Sequence, residues 1–399
     1  MKPIKVFTLD LTPVTELTNY VSFMFTRAWH DVGEFQLVVN DEFARELRKD
    51  MIVALNKNKV GIIKHCEVQF DESGKISENW TFKGWTLKGE LQKRLSIPPS
   101  HTSHDNKSGN AETVMKHYVN NHFVNPVDPN RKMPNLEIAP NLNRGEQINW
   151  QSRFKVIAEE LAEISLATGL GWDVILDTEN KKFVFDVFEG KNRSVNQREN
   201  SPVFFSPEFG NVKAQSFLDS DLEVRNVGYI GGQGEGEDRE IVVIGNEIAG
   251  YERFETFIDA RDIDEEDPDS ETLEERGQRK MAEMQNELFF EAEIVTPIKK
   301  DVYSHEFQTF VHHTQPVFKR KRQTEWVDTF TYEKDYDLGD IVTIMNRKWG
   351  VIVDLRITKI TEIYEQDGFK LEAVFGQERP TLISKLKDKF SQYDNELLR

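Results

Sequence analysis

A glycine-rich stretch at residues 231–236 is the segment most similar to a phosphate-binding loop. Closely spaced glycines let backbone N–H groups approach an anion, which is the chemistry of such loops. However, no Gly-Lys-Ser/Thr triplet and no predicted helix follow, and Glu235, Glu237 and Asp238 would repel a phosphate. We therefore interpret the stretch as a connection between two strands, and its glycines are Gly231, Gly232, Gly234 and Gly236.

Histidine and carboxylate residues have metal-like spacing at two places. His101, His104 and Asp105 lie close together, but zinc needs three or four ligands and no second cluster follows nearby. The acidic run at residues 262–269 lacks the central glycine and the spaced terminal glutamate of an EF-hand calcium loop. We expect a polar loop and a solvated helix start at these places, with no metal or other cofactor.

Residues suited to nucleophilic catalysis are scarce. The single cysteine, Cys66, lies in a strand-like run, and no Gly-x-Ser-x-Gly elbow is present. His117 and His122 fit the face of a predicted helix. The basic run at residues 319–322 could bind nucleic acid, but in so acidic a chain it favours an exposed loop or a contact with an acidic neighbour. We predict that the protein is not an enzyme.

The composition indicates an acidic protein with several domains. A chain of 399 residues predicts two to four domains, and 38% hydrophobic residues suffice for several small cores. The net charge of −18 argues against stable binding of nucleic acid or anionic membrane. One cysteine allows no internal disulfide, which fits a reducing cytoplasm. No signal peptide and no apolar run of membrane-spanning length is found.

Periodicity and turn signals give the chain the order β, then α/β, then β with a helical insert. Strand signals dominate residues 1–100. The clearest helix is predicted at 151–168, ended by Gly169 as a left-handed cap, and a second, acidic helix is predicted at 269–293. The predicted domains are 1–100, 101–205, 206–262 together with 294–378, a helical insert at 263–293, and a C-terminal helix and tail at 379–399.

The segment at residues 336–344 combines a tight turn with the start of a strand. The turn consists of Asp337, Leu338, Gly339 and Asp340, and β-type residues follow it directly. A short polar turn leads to a second β-type run at 349–360, and Asp367-Gly368 opens a third. This pattern predicts three consecutive strands.

Four segments carry a resemblance to a known family. They are a Gly-Glu-Phe-x-Leu hairpin at residues 29–37, a strand that turns into a helix at 84–94, the glycine-rich region at 225–239, and the terminal strands at 336–376. Together they resemble the tail-tip hub family of siphophages and related prophages, also known as the N-terminal module of tail-associated lysins. The resemblance covers about residues 20–380.

This resemblance implies a mainly β (α+β) fold, similar to the baseplate hub of contractile phages. Each subunit has two β-barrel-like tube domains, with an α/β insert and a helical insert. Three subunits form a trimeric ring that matches a six-fold tail tube. The candidate subunit or lumen contacts are then the loop at 231–238 and the turn at 337–340.

The implied function is that of a structural hub at the distal tip of a phage tail, assembled in the host bacterial cytoplasm. Expected partners are copies of itself, the distal tail ring protein, the tape-measure protein, and receptor-binding or tail-fibre proteins, with DNA passing transiently through the lumen. Alternatives are the hub of a contractile tail or tailocin, and a cell-wall hydrolase or glycan-binding host-recognition protein. Because the chain ends at Arg399, without the C-terminal hydrolase of many relatives, wall cleavage is not expected.

Overall fold

The computed structural model describes residues 2–68, 79–263, 270–295, 298–307, 318–327 and 330–376. Strands dominate these residues, so the mainly β (α+β) prediction is confirmed. The predicted C-terminal helix in 379–399 and most of the acidic run at 262–269 lie outside the described residues.

The first region of the chain is almost entirely β. Hydrophobic residues alternate along two neighbouring strands, so Phe23, Phe25, Phe35 and Leu37 all point into a core. The elements are β1 (Ile4–Phe7), β2 (Pro13–Leu17), β3 (Ser22–Ala28), β4 (Glu34–Asn40), α1 (Asp41–Ala44), β5 (Ile52–Asn56), β6 (Lys59–Glu67), β7 (Asn79–Thr86) and a 3-10 helix (Leu87–Lys93).

The next region is an α/β insert, as predicted. The predicted start of its second helix at residue 151 is wrong, because Gln151 belongs to a strand and the helix begins at Ile157. The elements are β8 (Asp105–Asn110), α2 (Ala111–Val119) with a π turn (Asn120–Val124), β9 (Leu136–Ile138), β10 (Gln147–Ser152), α3 (Ile157–Thr168), β11 (Gly171–Asp177) and β12 (Lys182–Phe188).

Strands return after the insert, in two groups separated by one helix. The first group is β13 (Phe204–Phe205), β14 (Val212–Ser220), β15 (Val227–Gly231), β16 (Ile241–Ile244) and β17 (Glu255–Asp259). The helix is α4 (Leu273–Ala282). The second group is β18 (Glu287–Ile294), β19 (Ile298–Phe307), β20 (Phe318–Val327), β21 (Ile341–Asn346), β22 (Val351–Glu365) and β23 (Gly368–Gly376). The three predicted terminal strands are thus confirmed.

Two predictions for this region are wrong. The helix expected to reach residue 293 ends at Ala282, and Glu287–Ile294 is instead a strand between β14 and β23. For the basic run at 319–322, of the two expected alternatives, a loop or a contact with an acidic neighbour, the loop is wrong, because the run lies within β20, which pairs with β19 as a separate two-stranded ribbon.

The two ends of the chain share one sheet. Its strands run in the order β14-β18-β23-β22-β3-β4-β7-β6-β5-β1-β2, and β3 joins the halves by antiparallel pairing with β22. Ile52 and Ile62 of this sheet share a hydrophobic core with Tyr118 and Leu161 of the insert. The insert is therefore fixed to the sheet by apolar packing as well as by the chain connections.

Candidate functional site

The turn at residues 337–340 lies where the main sheet meets the insert. Asp340 is buried, and its carboxylate accepts hydrogen bonds from Lys191 N and Arg193 Nε, both at 2.8 Å. Gly339 N donates to Ile357 O, and Ile357 N donates to Asp340 O, each at 2.8 Å. The turn therefore ties β22 to the segment that follows the insert.

Gly339 is required at this turn for two reasons. Its φ is +90°, and an added Cβ would lie 2.2 Å from the Trp29 ring. The indole of Trp29 also donates to Gly169 O at 3.1 Å. On the other side, a Cβ at Gly190 would lie 1.8 Å from Gly339 O, to which Arg356 Nη1 donates at 2.6 Å. The backbones of the sheet and the insert thus approach each other closely.

Asp337 is the member of the turn whose side chain is exposed, at 46% of its area. It forms an ion pair with Arg27 Nη1 at 2.9 Å, and the same guanidinium donates to the hydroxyl of Tyr332 at 3.1 Å. Burial disfavours the charged guanidinium, but Tyr332 and Asp337 outweigh this effect and raise the pKa of Arg27. The exposed edge of the turn therefore carries a fixed, partly neutralised carboxylate.

A cavity of about 320 Å³ opens beside the turn. Asp173 lines it, and burial raises the pKa of this carboxyl in spite of the nearby Lys88 and Arg27. Burial lowers the pKa of Lys88 to about 8, and its ammonium lies 4.1 Å from the centre of the Trp172 ring. The described residues that line the cavity include no serine, cysteine or histidine, so they form no Ser–His or Cys–His pair.

A buried ion pair lies close to the same junction. Lys59 and Glu362 are each about 1% exposed and are in direct contact. Lys59 also forms a 2.8 Å ion pair with Glu333 at the cavity wall. Because Lys59 belongs to β6 and Glu362 to β22, the pair links the first strands of the chain to the last.

The glycine-rich stretch lies elsewhere, as the connection between β15 and β16. These strands pair antiparallel, so the predicted strand-to-strand connection is confirmed. Gly231 and Gly232 are buried, and an added Cβ at Gly232 would lie 2.8 Å from Leu273 of α4. Gly234 and Gly236 have φ of +94° and +58° and form an exposed tip together with Glu235. The two predicted contact loops thus belong to different parts of the fold.

The histidines of the insert do not gather at either loop. His117 lies in α2 and His122 in the π turn, and their Nε2 atoms lie 2.8 Å and 3.0 Å from the two carboxylate oxygens of Asp105. The interpretation of these histidines as helix-face residues was therefore incomplete. Burial opposes ionisation of Asp105, but the bonds from both imidazoles lower its pKa. Among the described residues, no group of three His, Cys, Asp or Glu is arranged to hold a metal ion.

The residues that position the turn were not predicted from the sequence. Arg27 lies 310 positions from Asp337, and Arg193 lies 147 positions from Asp340. Trp29 was identified only as part of a hairpin segment. No local pattern distinguishes these three residues from other surface or core residues.

The family comparison and the structure comparison both match phage or prophage proteins. The model of the family Sipho_Gp37, described as "Siphovirus ReqiPepy6 Gp37-like protein", matches residues 3–377. No curated protein matches. Among the described residues, no helix has the length and hydrophobicity needed to cross a bilayer.

Solved structures of tail proteins share the fold at low sequence identity. A 43 kDa tail protein of prophage MuSo2 from Shewanella oneidensis has 12% identity and a TM-score of 0.53, with coverage of 94% of this chain and 98% of that chain. A tail protein from Neisseria meningitidis MC58 has 11% identity and a TM-score of 0.52, with 95% and 97% covered. Prophage tail protein gp18 from Listeria monocytogenes EGD-e has 12% identity and a TM-score of 0.51, with 96% and 97% covered.

Proposed function

The chain belongs to the family of Siphovirus ReqiPepy6 Gp37-like proteins, and from this membership we propose that it is a non-enzymatic structural hub at the distal tip of a phage tail. Three copies form a ring that caps and continues the tail tube. The ring anchors host-recognition proteins and opens for the passage of DNA.

The observation that carries this proposal is the single sheet formed by both ends of the chain. Pairing of β3 with β22, the buried Lys59–Glu362 pair and the turn at Gly339 hold the two halves together. A ring that keeps its shape while the tail tube is built on it requires a fixed connection between the two halves of each subunit. A continuous hydrogen-bonded sheet supplies it, because every strand is restrained on both edges except at the ends.

The proposed roles follow the predicted domains, except that β18 (Glu287–Ile294) belongs to the main sheet. Residues 1–100, and 206–262 with 287–378, are proposed to form the two tube domains, and 101–205 and 263–286 are proposed to lie to the side. The ring meets the distal tail ring protein above and the tape-measure protein inside, and it carries receptor-binding or fibre proteins. The exposed tip at Gly234–Gly236 and the carboxylate of Asp337 are the proposed contacts with other subunits or with the lumen.

Labelling of assembled tails tests this function directly. A chain carrying a small affinity tag is incorporated into tails, and electron microscopy with a gold-labelled reagent locates it. We expect label at the distal tip and three-fold averages of the tip in unlabelled particles. Label along the tube, or tails that assemble normally without the protein, would contradict the proposal. A zymogram on peptidoglycan with the purified chain should show no clearing.

A further inference from the structure

A small sheet formed by β16, β15 and β17 has one covered face and one open face. Ile230 and Ile258 pack with Leu273 and Met281 of α4 on the covered side. Strand alternation places Ile241, Val243 and Phe257 on the other side, where they are 44%, 36% and 52% exposed. Val243 and Phe257 flank Tyr229 in register, so the apolar side chains form one contiguous face.

Exposed carboxylates lie in the connections at both ends of this small sheet. The three arginines beside it are already engaged, Arg239 and Arg261 with Asp259 at 2.6 Å and 2.9 Å, and Arg253 with Glu255 at 2.6 Å. Arg239 also lies over the Phe257 ring at 5.1 Å. In contrast, the connections around the sheet expose acidic residues, which are Glu235, Glu237, Asp238, Glu240, Glu247 and Glu252. An apolar centre with a charged rim has the composition of a protein-binding surface, and here the rim selects a basic partner.

The same chain contains a basic element with no neighbouring strand in the described sheets. The ribbon of β19 and β20 forms a separate two-stranded sheet. Its twenty residues include six lysines or arginines against three carboxylates, whereas the whole chain has a net charge of −18. Four of these basic residues are consecutive, at 319–322. A two-stranded ribbon alone in water is marginally stable, so a partner surface would stabilise it.

We infer that the β19–β20 ribbon of one copy docks on the open face of the β16-β15-β17 sheet of a second copy. This inference rests on the proposed function, because it specifies how neighbouring subunits of the ring hold each other. The occupant is a second copy because the acidic rim and the basic ribbon complement each other in charge. Each copy has one ribbon and one face, and such a head-to-tail contact closes into a ring when the rotation is suitable.

Two double variants test the two sides of the contact, the face and the ribbon, separately. The face variant carries Ile241→Asp and Phe257→Asp, both at exposed positions that do not contribute to the core. The ribbon variant carries Lys319→Glu and Lys321→Glu. A matched control carries Lys5→Glu and Lys181→Glu, at exposed lysines elsewhere, with the same change in net charge as the ribbon variant.

Sedimentation velocity over a concentration series measures association. We expect the wild type and the control to form trimers, with weaker association at high salt, and each contact variant to associate at least about tenfold more weakly. An equimolar mixture of the two variants should form heterodimers and no trimer. That mixture contains one intact ribbon–face pair, between the ribbon of the face variant and the face of the ribbon variant.

Three outcomes would overturn the inference. They are a wild type that stays monomeric at every concentration, contact variants that form trimers as readily as the control, and a mixture that gives no heterodimer. Loss of binding to a short DNA duplex in the ribbon variant, with association unchanged, would assign the ribbon to nucleic acid instead. None of these results would change the position of the gold label on assembled tails. Failure of this contact is therefore distinguishable from failure of the proposed tail-tip function.

Discussion

Replacing Gly339 by alanine tests whether the junction between the sheet and the insert requires a residue without a side chain beside Trp29. At a φ of +90°, the left-handed backbone conformation costs alanine about 1–2 kcal/mol. The new Cβ would also lie 2.2 Å from Trp29, and displacing a buried ring in a filled site costs about 1–3 kcal/mol. We therefore expect the free energy of unfolding to fall by about 2–5 kcal/mol.

Gly350→Ala is the matched control. Gly350 lies in the turn between β21 and β22 and has a φ of +68°, but a Cβ added there would have no atom within 4 Å. Its replacement should cost only the conformational part, about 1–2 kcal/mol. Urea unfolding followed by circular dichroism and tryptophan fluorescence measures both variants. If the two substitutions cost the same, the close approach of Trp29 does not stabilise the junction and the reasoning is refuted.

Three further measurements test other contacts. Lys59→Met should lower the free energy of unfolding by about 3–5 kcal/mol because Glu362 stays buried without its partner, and adding Glu362→Gln should recover most of that loss. Burial lowers the pKa of His30 from 6.5 to about 3, so the unfolded chain binds more protons and stability should fall as the pH drops through this range; His30→Gln should flatten that dependence. Arg279→Met removes the ion pairs with Glu271 at 2.7 Å and with Glu163 at 3.1 Å and should speed limited proteolysis between α3 and α4.

Each of these predictions has a result that would contradict it. Additive losses in the double variant would mean that the buried lysine and glutamate act independently. An unchanged pH profile in the histidine variant would place the acid-sensitive group elsewhere. For the arginine variant, Lys280→Met is the control, since this neighbouring cation is 3.9 Å from the carboxylate of Glu163. If both variants are cleaved at the same rate, Arg279 contributes no more than Lys280 to holding α3 and α4 together.

Local sequence signals were sufficient where an element is defined by its own residues. Gly169 ends α3 with a φ of +75°, and its N–H donates to Ser165 O, as a left-handed cap requires. The terminal strands were likewise predicted from turn residues and β-type composition that are adjacent in the chain. In both cases neighbouring residues determine the backbone conformation.

Distant partners determined the elements that were predicted wrongly. The predicted helix included Gln151 and Ser152, but these residues pair with β8 more than forty positions earlier. The apolar residues of Glu287–Ile294 fit helical spacing, yet this segment fills the position between β14 and β23. Pairing in a sheet supplies backbone hydrogen bonds that a local pattern does not reveal.

The candidate site was predicted only in part, for the same reason. The four residues of the turn at 337–340 were identified because tight turns have a recognisable composition. Their partners Arg27 and Arg193 come from other regions of the chain, and Gly190 is marked only by its lack of a side chain. The exposed face of the small sheet was missed because exposure depends on which side α4 covers.

Pairing of β3 with β22 has a consequence for synthesis of the protein on the ribosome. More than three hundred residues separate Ala28 from Lys359, its partner in the register. At about 5–20 residues per second, β3 waits roughly 15–70 seconds for that partner to emerge. During this interval the edge of β3 is unpaired, and a chain that terminates early never covers it. Only completed chains therefore close the sheet, and truncated products are left open to chaperones and proteases before they reach an assembling tail.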